Sequence, residues 1–100
     1  MLKTLTLSDF TPLIGSTFQI QDQLEVPLQL ELREAKKLND LSARLDNRSE
    51  SFSLLFLGPD DVVLPQRIYG LHHSHLGDLS LFLVPVARRE DGICYEAVFN

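Results

Sequence analysis

The side chains best equipped for chemistry in this chain are its only histidines, His72, His73 and His75, which sit together. In a strand, alternate residues share a face. His73 and His75 would then project together as a His-x-His pair, half of a zinc or iron site. The remaining ligands would have to come from Asp78, Asp60, Asp61 or Glu96. The simpler reading is a strand end and turn whose imidazoles bond backbone or water, and it is favoured. No metal or cofactor site is assigned, and His72, His73 and His75 remain weak metal candidates. The same cluster would gain charge as pH falls toward ~6.5. The single cysteine, Cys94, could pair with His73 as nucleophile and base. No oxyanion signature or nucleophile elbow accompanies it, and a free cysteine between Ile93 and Tyr95 in a strand packs as a small hydrophobe. Asp60-Asp61 and Glu90-Asp91 are adjacent acids inside turn signals, which turn chemistry explains. No glycine-rich phosphate loop is present, Gly58-Pro59 and Gly77 being turn residues. No catalytic residue is expected, so the chain reads as a nonenzyme.

Other polar groups look structural. Tyr69 and Tyr95 fall in apolar strands, where a buried hydroxyl needs a hydrogen-bond partner. Glu96 would need a partner if buried, with Arg67 and His73 as candidates, and is expected to anchor a neighbouring loop or strand.

The elements that position these residues centre on Leu79-Ser80-Leu81-Phe82-Leu83-Val84-Pro85-Val86, apolar at nearly every position. Leu79, Leu81 and Leu83 would cover one side, and Phe82, Val84 and Val86 the other. A strand apolar on both faces is expected to lie covered on both. Upstream, Leu2 to Leu7 alternates as an edge strand or frayed arm. Ser8 to Gly15 reads as a short helix capped by Ser8 or Asp9, with Pro12 near its start and Gly15 ending it in a left-handed conformation. Phe10, Leu13 and Ile14 would face inward. Ser16 to Gln21 alternates with Phe18 and Ile20 inward, followed by a turn at Asp22-Gln23. Val26, Leu28, Leu30 and Leu32 alternate with polar residues in a half-buried strand, Pro27 lying at its start or on an edge. That strand is read to about Lys36. A long loop with a helical turn follows, and the spacing of Leu38, Leu41 and Leu45 leaves a helix over 35–46 as the alternative. Ser51 to Leu57 is a strongly apolar strand with Phe52, Leu54 and Phe56 on one face, stopped by Gly58-Pro59-Asp60-Asp61. Pro65 separates Val62-Val63-Leu64 from a strand at Arg67 to His73. Asp91-Gly92 marks a hairpin turn into a last strand with Ile93, Tyr95, Ala97 and Phe99 on one side. The fold class is therefore all-β and mainly antiparallel. It is a compact barrel or sandwich of six or so strands with one short N-terminal helix. Phe56, Tyr69, Phe82, Leu83, Tyr95 and Glu96 are its candidate structural residues.

One hundred residues, 44 % of them hydrophobic, make a single β domain over 1–100 with a real core. The net charge of −5 argues against nucleic acid and against an anionic membrane surface as partners. Arg33, Lys36, Lys37, Arg44 and Arg48 are interspersed with Glu34, Asp40 and Asp46, the pattern of a solvated face. A lone cysteine makes no internal disulfide, the first residues lack a signal-peptide core, and no run approaches the ~20 apolar residues that span a bilayer. A cytoplasmic protein is expected.

Several stretches also resemble one family. They are Phe10-Thr11-Pro12-Leu13-Ile14-Gly15-Ser16-Thr17-Phe18, Phe52-Ser53-Leu54-Leu55-Phe56 with Gly58-Pro59, and Leu64-Pro65-Gln66 followed by Tyr69. His73, Leu76-Gly77, Phe82-Leu83-Val84-Pro85-Val86 and Tyr95-Glu96-Ala97-Val98-Phe99-Asn100 belong with them. Over nearly its whole length the chain resembles the bacterial domain-of-unknown-function family 6916, small β proteins for which no reaction or cofactor is implied. It departs at Leu38 to Glu50, where it is longer and more charged. The resemblance implies an accessory or assembly role beside proteins resembling phage tail-collar or fibre components. The expected function is thus a noncatalytic protein-interaction module, self-associating or binding a protein partner, with exposed strand edges as one means. The alternative is a small-molecule- or metal-binding β-barrel using the His72–His75 region.

Overall fold

The computed structural model describes residues 5–21, 28–38 and 51–99. A single helical turn, α1 (Leu7–Phe10), runs into a 3-10 turn (Thr11–Leu13). Six strands follow: β1 (Thr17–Ile20), β2 (Gln29–Lys37), β3 (Phe52–Gly58), β4 (Arg67–His73), β5 (Gly77–Arg89) and β6 (Gly92–Phe99). All pairings are antiparallel, in the order β1-β2-β3-β6-β5-β4, and β4 returns to β1. The ring is two three-stranded meanders, β1–β3 and β4–β6, joined at two seams. Seven residue pairs link β3 to β6, whereas two, Gln19 with His72 and Ile20 with Leu71, link β1 to β4. No described helix is long and apolar enough to cross a membrane.

Alternation fills the inside of the ring. Phe18, Leu30, Leu32, Leu54, Phe56, Leu71 and Leu83 have no exposed surface, and Tyr69 and Tyr95 are nearly as buried. Phe10 plugs one end, its ring 5.9 Å from Phe52 and 5.5 Å from Phe99, which themselves stack at 4.5 Å. Burying one such side chain stabilises a fold by about 1.5–3 kcal/mol, enough to hold a turn too short to persist alone. At the other end, Leu64, in the segment between β3 and β4, is buried. The Tyr95 hydroxyl accepts a hydrogen bond from the Leu64 amide at 2.9 Å, and the Tyr69 hydroxyl donates to the Pro65 carbonyl at 2.6 Å.

The helical turn begins earlier than its sequence suggests, with Thr6 rather than Ser8 or Asp9 as its N-cap. The Asp9 carboxylate accepts the Thr6 amide at 2.8 Å and the Thr6 hydroxyl at 3.2 Å, so Asp9 serves from inside the turn. Gly15 adopts the left-handed conformation at φ 94. Ile14, expected inward, is 45 % exposed because the tighter 3-10 turn and an extended Ile14 (ψ 130) rotate it off the buried face. Val62 to Leu64 forms no strand. The turn at Asp22-Gln23, Val26, Pro27, Leu2 to Thr4 of the N-terminal arm, and the loop or helix beyond Leu38 lie outside the described residues.

Two hairpins carry glycine where only glycine fits. Three residues, Ser74 to Leu76, join β4 to β5, and Gly77 closes them at φ 77. The loop between β5 and β6 is Glu90-Asp91, one residue earlier than the Asp91-Gly92 signal, with Gly92 already paired to Arg89. A Cβ on Gly92 would sit 2.0 Å from the Gly58 carbonyl oxygen, so the two chains approach there as bare backbone.

The largest departure concerns β5. It runs thirteen residues and changes partner half-way, Gly77–Leu83 pairing with β4 and Val84–Arg89 with β6. Leu81 and Leu83 face the core, but Phe82 and Val86 are each 49 % exposed. A closed ring has one inside and one outside, so a strand in it can cover only half its side chains.

Candidate functional site

The outward side chains of β4 and β5 include large apolar residues left in solvent. Tyr69, Leu71 and His73 point inward from β4, which turns Ile68, Gly70 and His72 out. Leu81 and Leu83 do the same for β5, turning out Ser80 and Phe82. Ile68 lies directly across from Phe82 in the ladder, and both are large, apolar and exposed, at 64 % and 49 %. Val84, the next outward residue, lies across from Glu96, and exposed Val86 is the unpaired residue of a β-bulge between Pro85 and Ala87. Together these side chains expose on the order of 300–400 Å² of apolar surface, the size of the largest patch on an ordinary monomer and one often tied to binding. Its ends carry charge. Asp78 accepts from His72 Nδ1 at 2.8 Å and Gln21 Nε2 at 3.1 Å with its carboxylate 72 % exposed, and Arg88 and Arg89 close the other end.

The histidines do not act together. His72 is the exposed partner of Asp78, and His75 stands in the turn beyond β4. His73 points inward, 5 % exposed, against the Phe18 ring at 4.5 Å. The His75 amide donates to His73 Nδ1 at 3.0 Å. The other nitrogen, Nε2, therefore carries the proton and donates to Ser16 Oγ at 2.9 Å. The Ser16 hydroxyl in turn donates a hydrogen bond to the Leu13 carbonyl. Burial, then the neighbouring His75 and His72, hold the His73 pKa below the ordinary histidine value. With both nitrogens engaged, His73 has no lone pair for a metal, and the His-x-His geometry fails because the strand ends at His73. Among the described residues, no three His, Cys, Asp or Glu groups come together as a metal site would need.

The chain matches, over residues 5–99, a family described as "Domain of unknown function (DUF6916)". It belongs to DUF6916. No curated protein and no solved structure matches it.

In this DUF6916 chain the remaining candidates divide by face. Phe56, Tyr69, Leu83 and Tyr95 lie in the core, whereas Phe82 is outside and Glu96 is half-buried on the outer side of β6. Glu96 bonds neither Arg67 nor His73 among the described hydrogen bonds. It lines a shallow open groove of about 270 Å³ with Glu34, Lys36, Ser53, Leu55 and Arg89. Arg67 instead lies over the Tyr69 ring at 4.6 Å. Cys94 is 1 % exposed, between Leu57 and Ala87 on its neighbouring strands, too enclosed to present a nucleophile. Asp60 and Asp61 form a turn, and Asp91 pairs at 3.1 Å with Arg33, the extra residue of a bulge in β2.

Two contributors escape sequence reading, Ile68 and Ser16. Once Tyr69, Leu71 and His73 are set inward, the two-residue period alone would place Ile68 outside. Ser16 carries no such signal, because its partner His73 is fifty-seven residues away.

Proposed function

We propose that this DUF6916 chain is a noncatalytic protein-interaction module whose contact surface is the outer face of β4 and β5. The observation that carries the reading is the Ile68–Phe82 pair, two large apolar side chains set across from one another and left in solvent. The groups best suited to chemistry are already used in holding the fold: His73 by Ser16 and His75, Tyr95 by Leu64, and Cys94 by burial. A face is also better suited than an edge. The Val84–Arg89 half of β5 is ladder-paired only to β6 among the described strands, yet Pro85, the Val86 bulge and two arginines make it a poor template for an added strand. The setting implied by the family resemblance is an accessory role beside phage-tail-like or fibre proteins, and the sequence features make the cytoplasm its expected location.

The test is co-purification from the native host with the wild-type chain and with Ile68→Asp and Phe82→Asp variants. A partner recovered by the wild type and lost from both variants supports the reading. Equal recovery by all three, with folding intact by circular dichroism, refutes it.

A further inference from the structure

We infer that the occupant of this face is a second copy of the same chain, packed antiparallel across β5. This rests on the interaction reading above and adds the identity of the partner. The argument is the order of outward side chains along β5. From one end they run Asp78, Ser80, Phe82 and Val84, then the bulge residue Val86, and past it Ala87 and Arg89. The phases follow from the partners and from exposure: Asp78 lies across from outward His72, Val84 from half-buried Glu96, and Ala87 is itself exposed. Apart from Val86, which the bulge sets out of register and which adds to the apolar centre, the row is acidic, small, apolar, apolar, small, basic, and so complementary to its own reverse.

A two-fold axis crossing β5 between Phe82 and Val84 lays each Phe82 on the other copy's Val84. It also sets Ser80 against Ala87, where neither side chain is large, and brings Asp78 of each copy to Arg89 of the other. Such a contact is isologous, the commonest way for two identical chains to close. The Asp78 carboxylate is open to a second cation, being 72 % exposed beyond its bonds to His72 and Gln21, and Arg89 is exposed. Ile68, beside Phe82, widens the apolar centre. Glu96, across from Val84, stands at the β6 margin of that centre. An apolar centre of this size, rimmed by charge, is about half of the roughly 800 Å² that each partner buries in a standard interface. The pairing is accordingly a weak one, in the micromolar range or above.

Sedimentation velocity over a dilution series reads the association of the full chain. The wild type is expected to dimerise reversibly, and Phe82→Asp to remain monomeric with an unchanged circular dichroism spectrum. Asp78→Arg and Arg89→Asp should each weaken association tenfold or more, because each places like charges face to face at both ends. Mixed in equal amounts, those two variants should associate with each other about as well as the wild type does, since every end contact is again opposite in sign. A monomeric wild type at every concentration overturns the inference. So does a dimer indifferent to Phe82→Asp, or a mixture no stronger than its components. If the wild type is monomeric but loses a host partner on Phe82→Asp, self-pairing falls and the interaction reading stands. If that substitution changes neither, both fall.

Discussion

Replacing Tyr95 by Phe removes one oxygen from the end of the ring covered by the segment between β3 and β4. That oxygen accepts the Leu64 amide at 2.9 Å, and Leu64 itself is 4 % exposed, so the orphaned donor stays away from water. An unsatisfied buried donor costs about 1–3 kcal/mol, a large share of the ~5–15 kcal/mol that holds a domain together. At about 2 kcal/mol the melting temperature should fall by roughly 8–15 °C for a domain of this size. Tyr69→Phe is the internal comparison. It deprives the Pro65 carbonyl of a donor at 2.6 Å, but Pro65 is exposed and water can replace the lost bond, so the loss should be smaller. Urea unfolding followed by circular dichroism measures both, with an unchanged m-value showing that the same surface unfolds. A Tyr95→Phe variant within ~0.5 kcal/mol of wild type, or one less affected than Tyr69→Phe, would refute the claim that this bond closes the ring's end.

Other expectations follow from the same geometry. Leu83→Ala should cost about 2–5 kcal/mol by opening a cavity, while Phe82→Ala, one residue away and outward, should stay within about 1 kcal/mol; equal losses in urea titrations would mean that the two faces of β5 are misassigned. Stability carried by neutral His73 is present above its unfolded pKa of about 6.5 and is lost as pH falls through its lowered folded value, because the unfolded chain takes the proton first. Unfolding free energies at several pH values should therefore fall on the acid side, with a shallower slope in His73→Gln; an identical slope in the variant would exclude His73 as the source. Gly92→Ala should fail to fold or lose most of its cooperativity, since its Cβ meets the Gly58 carbonyl at 2.0 Å, and a well-folded variant by proton NMR would contradict that close approach.

Much of the fold could be read from period-two patterns, because an inward residue is selected for being apolar wherever it lies. Phe18 and Ile20, Leu30 and Leu32, Phe52, Leu54 and Phe56, and Ile93, Tyr95 and Ala97 all occupy the core. The six-stranded antiparallel class and the short N-terminal helix follow from that spacing. The method failed at β5, where Phe82, Val84 and Val86 satisfy the same apolar criterion without being enclosed. Hydrophobicity tells a buried residue from a polar one, but not from an apolar residue that the closed ring leaves on its outside. The histidines were misleading for a related reason. Chain proximity suggested a shared face, but the strand ends at His73, so backbone direction separates them and a distant serine completes the only buried one. Seam pairings such as Gln19 with His72 are invisible to local pattern, since they depend on which meander lies against which.

The division of the ring into two meanders bears on how the chain can be made and unmade. While only β1 to β3 exist, both outer edges of that meander lack their mates, because β3 waits for β6 and β1 for β4. The short β1–β4 seam needs β4, which ends at His73, and the longer β3–β6 seam needs β6, which ends at Phe99, so the larger seam is the last to close. The segment between β3 and β4 is the covalent tie between the halves. A chain cut there would retain every strand and both seams, and its halves would have the surfaces needed to find each other in trans.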